Sequence, residues 1–362
     1  MKYLLTVLII VFFLLTTPYM ATSQSINGVV FDSESKKTIV GAHIVVKNKM
    51  NVGSITNNDG KFLMSKNFLS DTLIVSHINY QPQEVIFRNN LVINLQAKSI
   101  TLKEITVSPL EVSKIIESVF DNLEDNHYNE ENIYQFFFRA INYQNDSMLN
   151  LIEEHQGFIQ HNKNSNSKFS IDQSRLTALS NSGKNSLDDY RFIKLVSKQS
   201  DNVFKYLEDY LHHRKNKRYK YNLEDVFLYN GRETYKISYS TDKDTYYKKG
   251  YLLIDKSTKA LVRNVLDHSD YYQINYVIEG DKWYLSNSYH RKIRGNYSEE
   301  IIMNYQKIDD LNPDKEFQSA FALSPAKLSK SEKTYANSYW EFSNVIPLPD
   351  WVLSQINEIE NK

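Results

Sequence analysis

Three places in the 362-residue chain gather residue types that could do chemistry. The first is Asn57-x-Asp59 beside Gly60, which looks like a calcium loop in miniature. Calcium takes about six to eight oxygens, several of them from carboxylates, and this stretch offers a single acid. Asn and Asp tolerate left-handed backbone and bond their own main chain, and Gly has no Cβ to clash. Asn58-Asp59-Gly60 is therefore expected as a structural turn. The second place is Glu153-Glu154-His155. An acid pair beside a histidine suggests metal ligation or acid–base work. Neighbours on a strand point to opposite faces, so only Glu153 and His155 can act together, and two ligands do not make a site. A solvated strand face is expected there. The third is Arg214-Lys215-Asn216-Lys217-Arg218-Tyr219-Lys220, preceded by His212-His213. It could meet phosphate groups, as on lipopolysaccharide. Glu208, Asp209, Glu224 and Asp225 flank it and neutralise much of its charge, so the expectation is a helix end whose cations favour the dipole.

The chemistry that is missing narrows the field further. There is no Gly-x-Ser-x-Gly elbow, no His-Glu-x-x-His pair and no phosphate-binding glycine loop. No Cys occurs, which removes disulfides, thiolate nucleophiles and Cys zinc sites. No catalytic, cofactor-binding or metal-ligating residue is assigned, although a glycosidase-type carboxylate pair stays open among so many acids. Lys plus Arg and Asp plus Glu both number 43, a balance that asks for neither nucleic acid nor an anionic membrane.

The elements around these residues can be read in order. Lys2, the apolar run Leu4–Leu15 and the small residues Ala21-Thr22-Ser23 form a secretory signal, residues 1–23. Leu4–Leu15 is too short for a spanning helix, which needs about 20 apolar residues, so no membrane segment is expected after cleavage. Losing Lys2 with that leader leaves a mature net charge near −1. The 26 Tyr against 10 Gly favour strands. Short strands are expected at Ile26–Phe31, Ala42–Lys47, Gly53–Asn57, Lys61–Met64, Thr72–His77, Glu84–Arg88 and Leu91–Leu95, a density that suggests a small β-sandwich.

These strands carry a pattern: Ile26-x-Gly28-x-Val30-x-Asp32, Val40-Gly41-Ala42-x-Ile44, Gly53-Ser54-Ile55-Thr56-Asn57-x-Asp59-Gly60-x-Phe62, Leu73-Ile74-Val75-Ser76-His77-Ile78-Asn79-Tyr80 and Leu102-Lys103-Glu104-Ile105-Thr106-Val107. It resembles the carboxypeptidase-regulatory-like (transthyretin-like) domain at the start of many exported Bacteroidetes proteins. The resemblance implies a non-catalytic appendage. Ile39-Val40 replaces the usual Pro, Asn57 the usual Asp and Asn79 the usual Gly. Members of that family also precede the plugs of outer-membrane receptors, but the remaining chain is too short for such a barrel.

Ser108-Pro109-Leu110-Glu111 is a capping box. It opens a helix whose apolar face is Val112, Ile115, Ile116, Val119, Phe120 and Leu123. Tyr134–Tyr143 and Met148–Ile159 form a hairpin about Asn145-Asp146-Ser147. Asn162–Lys184, rich in Asn and Ser, is expected as a long loop or a weakly structured excursion, and Leu187–His213 as helical. From Thr234 the chain alternates through Thr234–Tyr239, Gly250–Asp255, Ala260–Leu266, Tyr271–Glu279, Trp283–Ile293 and Tyr297–Tyr305, an antiparallel meander that needs a cover. Gly250-Tyr251-x-Leu253-Ile254-Asp255-x-x-Thr258-x-Ala260 and Lys282-Trp283-Tyr284-Leu285 are similar to half-barrel lipoprotein carriers, in which a curved sheet wraps helices around a greasy cavity. Ser338-Tyr339-Trp340-Glu341 and a terminal helix Trp351–Ile359 resemble the end of exported Bacteroidetes proteins that pair these two parts. Pro347, Pro349 and Trp351 are expected to fasten that tail to the sheet.

The fold expected is mainly β with an α+β second part: an N-terminal seven-stranded β-sandwich, then a helix-covered curved antiparallel sheet. The division is residues 1–23 signal, 24–98 β-sandwich, 99–110 linker and 111–362 α+β. The function expected is that of a non-catalytic envelope protein, periplasmic or at the outer membrane or cell surface. It would bind another envelope protein, a lipid or a glycan without a cofactor. The alternatives are a carrier of lipid or lipoprotein in a half-barrel cavity, and a hydrolase on polysaccharide or peptide. Any ligand is expected between the helices and the C-terminal sheet.

Overall fold

The computed structural model describes residues 25–98, 109–127, 132–145, 148–162, 165–178, 191–193, 219–242, 249–267, 270–308, 315–319, 322–324, 328 and 346–360. The expected signal, most of the 99–110 linker, the stretch Leu187–His213 apart from 191–193, the basic cluster up to Arg218 and Ser338–Glu341 lie outside the described residues.

The N-terminal strands are β1 (Ser25–Asp32), β2 (His43–Val46), β3 (Lys49–Ile55), β4 (Lys61–Ser65), β5 (Thr72–His77), β6 (Tyr80–Ile86) and β7 (Leu91–Leu95). They form a three-stranded sheet, β4-β1-β7, and a four-stranded sheet, β3-β2-β5-β6. Alternation drives the pairing: in β7, Leu91, Ile93 and Leu95 are buried while Val92 and Asn94 are exposed. Val30, Ile44, Phe62, Leu73 and Ile93 from both sheets share one core. Gly60 turns the chain between β3 and β4 at φ 70°, where a Cβ would sit 2.8 Å from the Val30 carbonyl oxygen, so this turn requires glycine.

Helix α1 (Pro109–Asp121) starts at the proline that the capping box marks and is followed by the short α2 (Leu123–Asn126). Val112, Ile116 and Val119 of α1 enter a core with Leu223, Ile237, Leu252 and Ile274. The rest is one antiparallel sheet. Its strands are β8 (Asn132–Gln144), β9 (Met148–Asn162), β10 (Ser165–Ala178), β11 (Lys220–Tyr229), β12 (Arg232–Ser240), β13 (Lys249–Asp255), β14 (Leu261–Leu266), β15 (Asp270–Glu279), β16 (Lys282–Arg294), β17 (Tyr297–Ile308) and the short β18 (Gln318–Ser319). The order is β11-β12-β13-β14-β15-β16-β17-β8-β9-β10-β18. The earlier hairpin β8–β9 thus joins the far end of the later meander, β17 pairing with β8 from Tyr297↔Gln144 to Ile308↔Ile133.

Two expectations fail here. Asn162–Lys184 is not a long loop: β10 occupies Ser165–Ala178 and pairs along β9. Asn and Ser weigh against a strand locally, but a ladder of neighbours supplies the hydrogen bonds that decide it. The meander also begins earlier than Thr234, because β11 precedes it. The terminal helix α3 (Asp350–Glu360) seats Val352 and Ile356 on Ile141, Leu149 and Ile152. No helix among the described residues is long and apolar enough to cross a membrane.

Candidate functional site

Residues paired across antiparallel strands share a face, so the register builds the site. One row runs Tyr251↔Val265↔Gln273↔Tyr289↔Ile302↔Arg139↔Glu154↔Arg175 from β13 to β10. A second row on the same face is Tyr271↔Arg291↔Glu300↔Ile141. A third is Arg263↔Asn275↔Asn287↔Asn304. Members of these rows, among them Tyr251, Gln273, Ile302, Arg139, Arg291 and Arg263, floor a cavity of about 690 Å³. Its roof is Val40–Gly41, Ile55–Asn58 and His77–Asn79 from the N-terminal sheets, with Ile346, Pro347 and Pro349 from the tail.

The N-terminal sheets are bonded to this floor. Arg263 donates through Nη2 to His43 Nε2 at 2.8 Å and to the Tyr229 hydroxyl at 2.7 Å, and through Nε to Asn275. A guanidinium only donates, so His43 accepts and is neutral. Burial, with the Arg263 charge beside it, holds its pKa well below the usual value. Asn275 Nδ2 donates on to Asn287 Oδ1 at 2.6 Å. Ser76 bonds Asn230. His77, at the roof, is lowered to about 4 by burial, then by Arg263 and Lys98. Tyr271 is raised to about 12, chiefly by burial, and remains a phenol.

The Asn57-Asp59 pair is a clamp for the tail. Asn57 Oδ1 accepts from the Asp59 and Lys61 amides, each at 2.9 Å, and so closes the turn. Its Nδ2 donates to the Pro347 carbonyl at 3.1 Å. Asp59 Oδ2 accepts from the Asp350 amide at the start of α3, at 2.9 Å, where the helix dipole favours an anion. Arg139 Nη1 meets the same Pro347 carbonyl at 3.2 Å. The Trp351 and Tyr143 rings lie 5.4 Å apart. Pro347 and Trp351 thus do fasten the tail, to the turn as well as to the sheet.

Glu153-Glu154-His155 is buried, at 0% exposure for all three, which corrects the expectation of a solvated face. Glu154 faces the cavity side between Arg139 (Nε–Oε1 2.6 Å) and Arg175. Burial raises its pKa, but the two arginines overcome that and leave it lowered. Glu153 and His155 point the other way. His155 Nδ1 lies 2.8 Å from Ser174 Oγ, and Nε2 lies 2.6 Å from Glu153 Oε1. Serine, histidine and acid are the parts of a nucleophilic triad. Here they are covered: Ser174 is 3% exposed, and the Phe138 and Phe192 rings flank the imidazole at 5.7 and 4.9 Å. Glu153 also accepts from the Arg191 and Phe192 amides. The group therefore pins the helical turn 191–193 to the sheet and presents no face to a substrate.

Sequence reasoning did not single out Arg139, Arg263 or Arg291, because each sits in an ordinary strand. The available signal was periodicity: Arg263 interrupts the apolar run Leu261–Leu266, which is buried throughout. The cavity itself lies between the N-terminal sheets and the large sheet, rather than between helices and sheet as expected.

Comparison with known proteins adds one firm result. Residues 26–107 match the family model of the CarboxypepD_reg-like domain. No curated protein matches the sequence. Among solved structures, the chain is similar to an outer membrane lipoprotein-sorting protein domain from Vibrio parahaemolyticus, with 11% identity, 55% of this chain and 94% of that chain covered, and a TM-score of 0.31. A LolA superfamily protein from Nitrosomonas europaea has 11% identity over 57% of this chain and 96% of that one, with a TM-score of 0.28. Lipoprotein LppX from Mycobacterium tuberculosis has 11% identity over 57% and 100%, with a TM-score of 0.24. The segment 26–107 is thus similar to a CarboxypepD_reg-like domain, and the large antiparallel sheet follows it in the chain.

Proposed function

We propose that this chain is a non-catalytic binding protein of the cell envelope, exported by its first 23 residues, that holds a small ligand between its N-terminal β-sandwich (24–98) and its α+β part (111–362). The observation that carries this reading is the cavity of about 690 Å³. Its volume falls within the roughly 300–1,000 Å³ of small-molecule sites, and its walls mix apolar side chains with a few placed polar groups, as such sites do. A carrier of lipid or lipoprotein is the second reading, favoured by Ile55, Ile78, Ile141 and Ile302 in the walls.

The test is titration with the neutral fluorophore N-phenyl-1-naphthylamine. Ile302→Trp in the floor and Asn58→Trp in the roof each fill the cavity, so each is expected to cut binding by about tenfold with the thermal midpoint kept. Unchanged binding in both variants would refute the cavity as the site.

A further inference from the structure

Arg263 is 3% exposed and lines the cavity. Its bonding partners are Asn275, Tyr229 and His43, with the Tyr251 hydroxyl beside it. None is a carboxylate, and among the described residues no acid pairs with it. A buried charge is costly unless it is paired. The remaining charges of the walls do not supply the missing anion. Glu154 stands behind the lining, shared by Arg139 and Arg175. Glu300 is engaged by the Tyr143 hydroxyl at 2.8 Å. Arg291 lies at the exposed rim, with the Tyr271 ring at 5.9 Å and Glu300 opposite it on β17. The walls therefore hold three arginines against one carboxylate, and the one arginine that is both buried and without an acid sits at one end.

The register fixes how far apart these charges act. Arg263 is opposite Asn275 and Arg291 opposite Tyr271 on β15. Four residues along a strand span roughly 13 Å of backbone, and β14 and β16 are two strands apart, so the two side chains rise from separate points of the floor. Arg263 is the interior anchor, and Arg291 is a rim charge that attracts anions toward the opening. Between them lie Tyr271 and Gln273 of β15; one strand beyond Arg291, on β17, the floor presents Ile302, and the roof presents Ile55 and Ile78. We propose, resting on the reading of this cavity as the ligand site, that it takes a small anionic amphiphile: a carboxylate or phosphate on Arg263, with an apolar body lying toward Ile302.

The experiment displaces N-phenyl-1-naphthylamine from the full chain with dodecanoate, dodecyl phosphate, neutral dodecanol and inorganic phosphate. The expected result is that dodecanoate or dodecyl phosphate binds at least about tenfold more tightly than dodecanol, because a charge-assisted bond to a buried guanidinium is strong. Inorganic phosphate alone is expected to be weaker than dodecyl phosphate by a similar factor, since it lacks the apolar body. Arg263→Met should erase the preference for the anion, and Arg291→Gln should change the affinity by less than about threefold, as rim charges do. Should Arg263→Met fail to fold, Arg263→Lys keeps the charge without the fork and should lose at least about threefold for the anion.

Equal affinity for dodecanol and the two anions overturns the proposal while leaving the cavity reading intact. Inorganic phosphate matching dodecyl phosphate overturns the amphiphile. Arg263 variants that bind anions like the parent overturn the anchor. Failure of the fluorophore to sense the cavity-filling variants defeats the cavity reading itself.

Discussion

Glu153 and Glu154 are neighbours in the chain, yet the strand sends them to opposite faces, where they do different work. Glu153 holds His155 and the start of the turn 191–193. Glu154 compensates two buried guanidiniums on the cavity side. Removing one partner of such a group leaves charge buried and uncompensated, at a cost of roughly 3–5 kcal/mol. Glu154→Gln is therefore expected to lower stability in urea at pH 7 by about that amount. Because the folded pKa of Glu154 is lowered, its contribution is present above the unfolded carboxylate value and fades as pH falls through the folded one. Parent and variant should converge in strong acid, and a constant gap at all pH values would contradict the ionic origin. The strand spacing made the opposite orientation of the two acids legible. It could not show that both faces are covered, since burial depends on what packs above them.

At the scale of elements, turn chemistry was the clearest signal. Asp255 shows why: its Oδ1 accepts from the Thr258 amide at 2.8 Å and the Ser257 hydroxyl at 2.7 Å, and Arg232 pairs with it at 2.6 Å. These bonds overcome burial and depress its pKa to about 2, so Lys256–Lys259 is written locally as a turn. Asn58-Asp59-Gly60 is equally local, but its second use is not. Asp59 caps α3 from a distant part of the chain. Asp59→Ala is expected to cost about 0.5–1 kcal/mol, seen as faster amide exchange in the first turn of α3 with the N-terminal sheets unchanged. Equal exchange in α3 would mean that the cap is idle. The nearby Lys61–Asp350 ion pair, 40% and 65% exposed, should add little. β10 was illegible because its Asn- and Ser-rich sequence has weak strand propensity, and the bonds that make it a strand come from β9.

For the whole molecule, the shared property is a set of histidines held neutral inside the fold. His77, His127 and His290 are each lowered to about 4, chiefly by burial, and His43 is lowered well below its ordinary value. The unfolded chain takes up these protons near pH 6.5, and the folded chain resists until about pH 4. Stability is therefore full above about pH 6.5 and falls as pH drops toward 4. His127 is 1% exposed and accounts for on the order of 3 kcal/mol of that loss. Its Nε2 bonds the Leu261 carbonyl at 3.0 Å. His127→Gln keeps a donor without the titration, so it should flatten the stability profile between pH 6.5 and 4. A profile as steep as the parent's would assign the loss to other groups.

The sequence by itself determined the predominance of strands, each hairpin of the meander from Thr234 onward, the seven N-terminal strands and the start of α1 at Pro109. These follow from alternation, turn residues and caps, which act over a few residues. Only the tertiary structure decided that β17 pairs with β8, that the N-terminal sheets lie on one face of the large sheet, and that Arg139, Arg263 and Arg291 line one cavity. Those residues are brought together by strand order and register across distant segments, and pairing between distant strands leaves no periodic trace in either one.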